Sequence, residues 1–195
     1  MWWSPRLRGM IWPMEAPAIL PPPSGPFTMS CLKPPSKCSS PILGGSASAL
    51  QQVIDAEPDV INHNVETVPR IYSAVRPQAM YRRSLALLQA VSESGRDLLS
   101  KSGLMLGLGE TNGEVIEVME DLRSLHCAIL TIGQYLSPSP AHYPVVEYVH
   151  PDTFKKVEKI GYDMGFLEVN AGPLVRSSYH AADIFARRTQ RQTPS

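Results

Sequence analysis

The chain has 195 residues, 43% of them hydrophobic, with Lys plus Arg and Asp plus Glu both at 18. That length suffices for one buried core with a tail. The balanced charge leaves no footprint for nucleic acid or an anionic membrane surface, and no apolar run approaches the ~20 residues of a membrane span. Three cysteines, Cys31, Cys38 and Cys127, are too few for a disulfide scaffold and point to a reducing compartment. The amino terminus, Met1-Trp-Trp-Ser-Pro-Arg, has no clean apolar stretch of the secretory kind. Arg there, with Glu15 the only acid before Asp55, leaves a transit peptide open. The expected location is the cytoplasm, with a mitochondrion or plastid as the alternative.

Residues 1–46 hold ten of the nineteen prolines, including Pro21 to Pro23 and Pro34-Pro35. Such a segment cannot sustain a helix or a central strand and is expected to be extended or disordered. Cys31 and Cys38 lie within it at a spacing that matches no common metal-ligand pattern. From Ser46 the composition changes. Leu50, Val53 and Ile54 fall at helical spacing and end at Pro58. Asp59 to Glu66 reads as a strand with polar residues at its carboxyl end. Pro69 opens a short helix that Pro77 ends. Tyr81 to Val91 forms an amphipathic helix with Leu85, Leu88 and Val91 on one stripe. Ser92 to Lys101 reads as a polar linker, and Ser102 to Leu108 as the next strand. Thr111 with Glu114 predicts a capping box, with Val115, Val118, Met119 and Leu122 buried behind it. Cys127 to Tyr135 is a third strand, in which Cys127 is a small core residue or a reactive thiol, the former favoured. Pro138 to Pro144 is a loop, Asp152 is expected to cap a helix through Ile160 and Met164, and Phe166 to Val169 is a fourth strand. Residues 183–195 form a flexible polar tail.

Strands alternating with helices imply an α/β fold with parallel strands and right-handed crossovers. Four strands cannot close a barrel, and a small doubly wound sheet remains the competing layout. In either fold functional groups gather at the carboxyl ends of the strands. Asn62, His63, Asn64 and Glu66 end the first strand, and a carboxylate such as Glu66 suits a pair of ribose hydroxyls. Gly107, Gly109 and Glu110 end the second, where glycines let a ligand approach and leave amides free to donate. Gln134, Tyr135 and Leu136 end the third. Arg76, Arg82 or Arg83 could hold a carboxylate, and the residues do not choose among them.

The carboxy-terminal stretch Ala171-Gly-Pro-Leu-Val-Arg176 turns at Gly172-Pro173. It is read as anchored by Leu174 and Val175, and it continues into Ser177, Ser178, Tyr179 and His180. Together with Asn62-His-Asn-Val-Glu-Thr67, Gly103-Leu-Met-Leu-Gly-Leu-Gly-Glu-Thr111 and Ile132-Gly-Gln-Tyr-Leu-Ser-Pro138, it resembles lipoyl synthase, a radical S-adenosylmethionine enzyme family. The blocks follow the family's order and spacing from about Ala47 to Ala182, but not over residues 1–46.

The resemblance implies the second half of a partial (β/α)6 TIM-like barrel over residues 47–182, with the carboxy-terminal tail ordered. It implies two [4Fe-4S] clusters and S-adenosylmethionine as cofactors. Cleavage to a 5′-deoxyadenosyl radical would abstract hydrogen from carbons 6 and 8 of a protein-bound octanoyl group, and the second cluster would donate two sulfurs. The partner implied is an octanoylated lipoyl-carrier domain or a glycine-cleavage H-type protein. Asn62, Asn64, Glu66, Met105, Gly107, Gly109, Glu110, Gln134 and Tyr135 would line the S-adenosylmethionine pocket. Ser178, or Ser177 beside it, would ligate the second cluster with support from Arg176. The chain departs from the family in lacking the C-x3-C-x2-C and C-x4-C-x5-C triplets and the first half of the barrel. This polypeptide alone is therefore expected to hold neither cluster, to keep at most a partial pocket and not to turn over. The proline-rich head reads as sequence foreign to the family. A non-catalytic fragment that binds a nucleoside or a partner protein is the alternative, and a phosphate-binding barrel using Gly107 to Glu110 is a third reading.

Overall fold

The computed structural model describes residues 37–39 and 47–176, all within the second of two units of the chain, Cys31–Ser195. Its strands are β1 (Lys37–Ser39), β2 (Val60–Asn62), β3 (Leu99–Leu106), β4 (Ile129–Gln134) and β5 (Glu168–Gly172). Its helices are α1 (Ala47–Asp55), α2 (Tyr72–Val75), α3 (Tyr81–Glu93), α4 (Asn112–Ser124) and α5 (Pro151–Asp163), with a 3₁₀ turn at Pro69–Ile71 leading into α2. The sheet is wholly parallel and its strands lie in sequential order. β1 was not among the expected strands. It occupies a proline-free gap between Pro35 and Pro41 and lies at the sheet edge, where flanking prolines are tolerated. The rest of residues 1–46 lies outside the described residues, as does the tail from 177 to 195.

The helix stripes meet one face of the sheet. Leu88 from α3, Val115, Val118, Met119 and Leu122 from α4, and Phe154 and Val157 from α5 share one core with Leu104, Leu106, Leu130, Ile132 and Val169. Val53 and Ile54 of α1 form a satellite core with Ile61 and Val91. A doubly wound sheet would carry helices on both faces; here the alternate positions toward the carboxyl ends of the strands line a cavity, while Val60, Leu99 and Ile129 form a small buried apolar cluster at the other end of that face. Among the described residues no helix is long and apolar enough to cross a membrane.

The capping box forms as the spacing predicts: Glu114 N–H donates to Thr111 Oγ1 at 3.3 Å, and Thr111 N–H donates to Glu114 Oε2 at 2.8 Å. At α5 the cap is His150, not Asp152. Its Nδ1 accepts from Asp152 N–H at 3.2 Å, and Pro151 takes the first helical position. The second expected strand begins three residues early, at Leu99. Ser100 and Lys101, read as linker in sequence, are each 4% exposed or less, because they lie in the middle of the sheet.

Candidate functional site

A cavity of about 470 Å³ opens on the sheet face away from the core. Its walls come from Asn64 and Glu66 beyond β2, Gly103 and Met105 of β3, and Thr131, Gly133 and Gln134 of β4. The tail from Pro173 to Arg176 closes one side. Strand alternation accounts for Gly103 and Met105 of β3 and Thr131 and Gly133 of β4, whereas Leu104 borders the cavity but packs with Leu106 into the core.

Gly103 sits between two polar side chains. A Cβ there would lie 2.8 Å from Asn64 Oδ1 and 3.1 Å from Thr131 Oγ1. Thr131 Oγ1 donates to the Ser102 carbonyl at 3.3 Å. Asn64 Nδ2 donates to Glu66 Oε1 at 3.2 Å, but Asn64 Oδ1 is buried with no hydrogen-bond partner. An unmet buried acceptor is costly, and Asn64 is one of the residues that line the cavity. Asn62 Oδ1 and Asn170 Nδ2 are also buried without partners. Both belong to strand positions on the cavity side of the sheet.

Gly133 fixes the tail. A Cβ on Gly133 would lie 2.3 Å from the Val175 carbonyl oxygen, and one on Gly172 would lie 3.4 Å from Val175 Cγ2. Val175 therefore anchors the tail, whereas Leu174, expected to share that role, is 89% exposed. Arg176 reaches the cavity mouth. Ser177 and Ser178 lie outside the described residues.

Of the residues nominated from sequence, the structure brings Asn64, Glu66, Met105, Gln134, Leu136 and Arg176 to the cavity. The Gln134 amide is committed elsewhere. Nε2 donates to the Tyr135 and Glu147 carbonyls, both at 3.0 Å, and Oε1 accepts from Val149 N–H at 3.0 Å. Tyr135 is 7% exposed and donates to the Tyr143 carbonyl at 2.7 Å. Asn62, Gly107, Gly109 and Glu110 are not on the cavity wall. The amides expected to be free are capped by the chain itself: Glu110 Oε1 accepts from Gly107 N–H at 2.7 Å, and Oε2 from Leu108 N–H at 2.9 Å. A phosphate reading of this loop therefore finds its donors occupied. Gly107, at φ +99°, packs against Gln134 and the Glu147 carbonyl, and Gly109 packs against Val146. Arg70 locks the loop from outside, donating to the Gly109 carbonyl at 2.7 Å and to both Glu114 oxygens at 2.6 and 3.0 Å. Sequence reasoning missed Thr131 and Gly133 as wall residues. A glycine inside strand β4 was the available signal, since it marks close approach by another backbone.

Cys127 is fully buried on the core side, with its Sγ near the Ser100 and Ile129 carbonyls. Burial pushes its thiol up to about 11. Among the described residues no three His, Cys, Asp or Glu side chains gather as a metal site. With Cys127 behind the sheet, these residues do not fit an iron–sulfur cluster, which needs thiolates.

No protein-family model matches the chain. The lipoyl synthase of Caldanaerobacter subterraneus subsp. tengcongensis is 61% identical over 137 residues, covering 70% of this chain and 48% of the relative. The lipoyl synthase of Caldicellulosiruptor bescii is 51% identical over 141 residues, covering 72% and 48%. The crystal structure of Streptococcus suis SuiB bound to precursor peptide SuiA aligns with a TM-score of 0.52 at 11% identity, covering 71% of this chain and 32% of that one, a likeness of fold. The chain is thus related to the lipoyl synthases and spans about half the length of those it matches.

Proposed function

We propose that the cavity binds the nucleoside part of S-adenosylmethionine, and that the chain brings this pocket to a lipoyl synthase activity. That activity inserts sulfur at carbons 6 and 8 of an octanoyl group on a lipoyl-carrier domain or H-type protein. The observation that carries the reading is the 61% identity to a lipoyl synthase. The geometry supports it. Asn64 Oδ1 is a buried acceptor in need of a donor such as an adenine amino group or a ribose hydroxyl. Glu66 beside it offers a carboxylate for two ribose hydroxyls. Met105 offers a polarizable surface for a purine ring. The cavity volume is that of a small-molecule site.

S-adenosylmethionine supplies a sulfonium whose reductive cleavage starts the chemistry of this family. The chain's own residues bind and orient it: Asn64 and Glu66 fix the sugar and base, and the tail seated on Gly133 limits access of water. Ser178, or Ser177 as the alternative, is the serine proposed as a cluster ligand from the family resemblance, with support from Arg176 on the cavity wall; both serines lie outside the described residues. The sequential strand order and the one-sided helices support residues 47–182 as the second half of a partial barrel, to which β1, from within the proline-rich segment 1–46, adds an edge strand.

Titration calorimetry of the full chain with S-adenosylmethionine tests the reading. Saturable binding is expected, weakened about tenfold or more by Glu66→Gln. A folded wild-type chain that gives no binding heat would sink it.

A further inference from the structure

The wall that carries Asn64 and Glu66 has an unusual backbone. Asn62 pairs with Lys101, yet Glu66 bridges Leu104, so the β2 side holds one residue more than β3, which is a bulge. At its end Thr67 N–H donates to the Val65 carbonyl at 2.9 Å across Glu66, whose φ is +69°. A three-residue turn centred on a non-glycine at positive φ is strained, and it persists only where its surroundings hold it.

What surrounds it from behind is a line of polar side chains. His63 points away from the cavity, between Asn62 and Asn64, and is 6% exposed. Its Nε2 lies 3.0 Å from Ser84 Oγ of α3, and Ser84 Oγ lies 3.0 Å from the Tyr72 hydroxyl of α2. Ser84 and Tyr72 are each 4% exposed. Arg76 donates to the Tyr72 oxygen at 3.0 Å and to the Asn64 carbonyl at 3.3 Å, with its guanidinium 5.6 Å over the Tyr72 ring. A guanidinium can only donate, so Tyr72 accepts from it and passes its own proton toward Ser84. Ser84 in turn can donate to His63 Nε2. Aligned this way, each bond polarises the next.

We propose that His63, Ser84, Tyr72 and Arg76 are positioning residues. Their chain runs from the strand through two helices and back to the Asn64 carbonyl, and it holds the bulged Asn64 to Glu66 segment in the shape that aims both side chains at the ligand. The inference rests on the reading that the cavity takes the nucleoside of S-adenosylmethionine.

Tyr72→Phe and Ser84→Ala each delete one link without changing the fold's apolar volume much. Tyr81→Phe is the matched control: its ring meets Tyr72 edge-on at 5.6 Å, but its hydroxyl donates to Asp121. Residue-resolved hydrogen exchange on the full chain reads the anchoring directly. Glu66 N–H donates to the Gly103 carbonyl and Met105 N–H to the Glu66 carbonyl, both at 2.9 Å. These two amides should exchange about tenfold faster in Tyr72→Phe and Ser84→Ala, with Leu130 and Ile132 unchanged and Tyr81→Phe silent. Affinity for S-adenosylmethionine should fall about fivefold in the same variants, and that loss should vanish on an Asn64→Ala background. Unmoved Glu66 and Met105 amides in Tyr72→Phe overturn the anchoring. If those amides loosen while the wild-type chain does not bind S-adenosylmethionine, the ligand reading falls and the anchoring stands.

Discussion

On the helix-covered face of the sheet, Leu104, Leu106, Leu130, Ile132 and Val169 are each 3% exposed or less and close on apolar helix stripes. On the opposite face the intervening positions are Gly103, Met105, Thr131 and Gly133, joined by Asn64 with its unpartnered oxygen. The same strands thus serve two ends. One face gains stability by burying area. The other leaves polar atoms of Asn62, Asn64 and Asn170 unmet and side chains small where a ligand and a tail approach, although the core face also carries one unmet group, the Ser102 hydroxyl. Substitutions should separate the two: core-face changes move the unfolding free energy, cavity-face changes move binding.

The largest expected effect is on the core face. Leu88 is fully buried, and Leu88→Ala should cost about 2–5 kcal/mol in urea unfolding while affinity for S-adenosylmethionine stays unchanged under folding conditions. A loss below about 1 kcal/mol would show that the helices do not close a single core with the sheet. Gly133→Ala should rank next. Its new methyl meets the Val175 carbonyl at 2.3 Å, so the substitution should cost about 1–3 kcal/mol or release the tail. Released, the tail should be cut at Arg176 by trypsin about tenfold faster. Gly113→Ala is the contrast, because the nearest atom is Thr111 Oγ1 at 3.9 Å; a helical alanine there should be neutral or stabilising. Asn64→Leu should change stability by about 1 kcal/mol or less, since the acceptor it removes has no partner and the side-chain bond it loses is the Nδ2 donation to the part-buried Glu66 carboxylate. It should weaken S-adenosylmethionine binding about tenfold. Equal losses in both measurements would erase the distinction between the faces.

The core face was far more legible in sequence than the cavity face. The α4 stripe of Val115, Val118, Met119 and Leu122 and the Thr111 box are set by spacing along one helix, and spacing is visible in a sequence. The start of β3 was hidden, because Ser100 and Lys101 are polar residues in a buried strand. Strand ends correctly marked where the cavity lies, but not which side chains face it. Gln134 and Glu110 carry the right chemistry, yet they spend it on the Glu147 carbonyl and on the Gly107 and Leu108 amides. Which partner a side chain takes is decided by tertiary contacts. The line behind Asn64 was missed for the same reason, although one trace was present. Ser84 falls on the apolar stripe of α3, three residues after Tyr81 and four before Leu88, and a serine on a buried stripe implies a polar partner.

The smallest effect belongs to the Arg70–Glu114 pair at the start of α4, and its signature is pH. Arg70 holds the Glu114 carboxyl down to about 2 from an ordinary value near 4.5, aided by the Thr111 amide. A carboxyl depressed in the folded state adds stability that is fully present above the unfolded value. That stability is lost as pH falls from about 4.5 through about 2. Arg70 is half-exposed, so water and salt screen the pair and the contribution is modest. Its pH shape still identifies it. Arg70→Ala should lower Tm slightly at neutral pH, and the gap to wild type should close as the Glu114 carboxyl is protonated. Because the same guanidinium also holds the Gly109 carbonyl, part of the gap should persist in acid. A gap that does not change with pH would assign the whole effect to that carbonyl and none to Glu114.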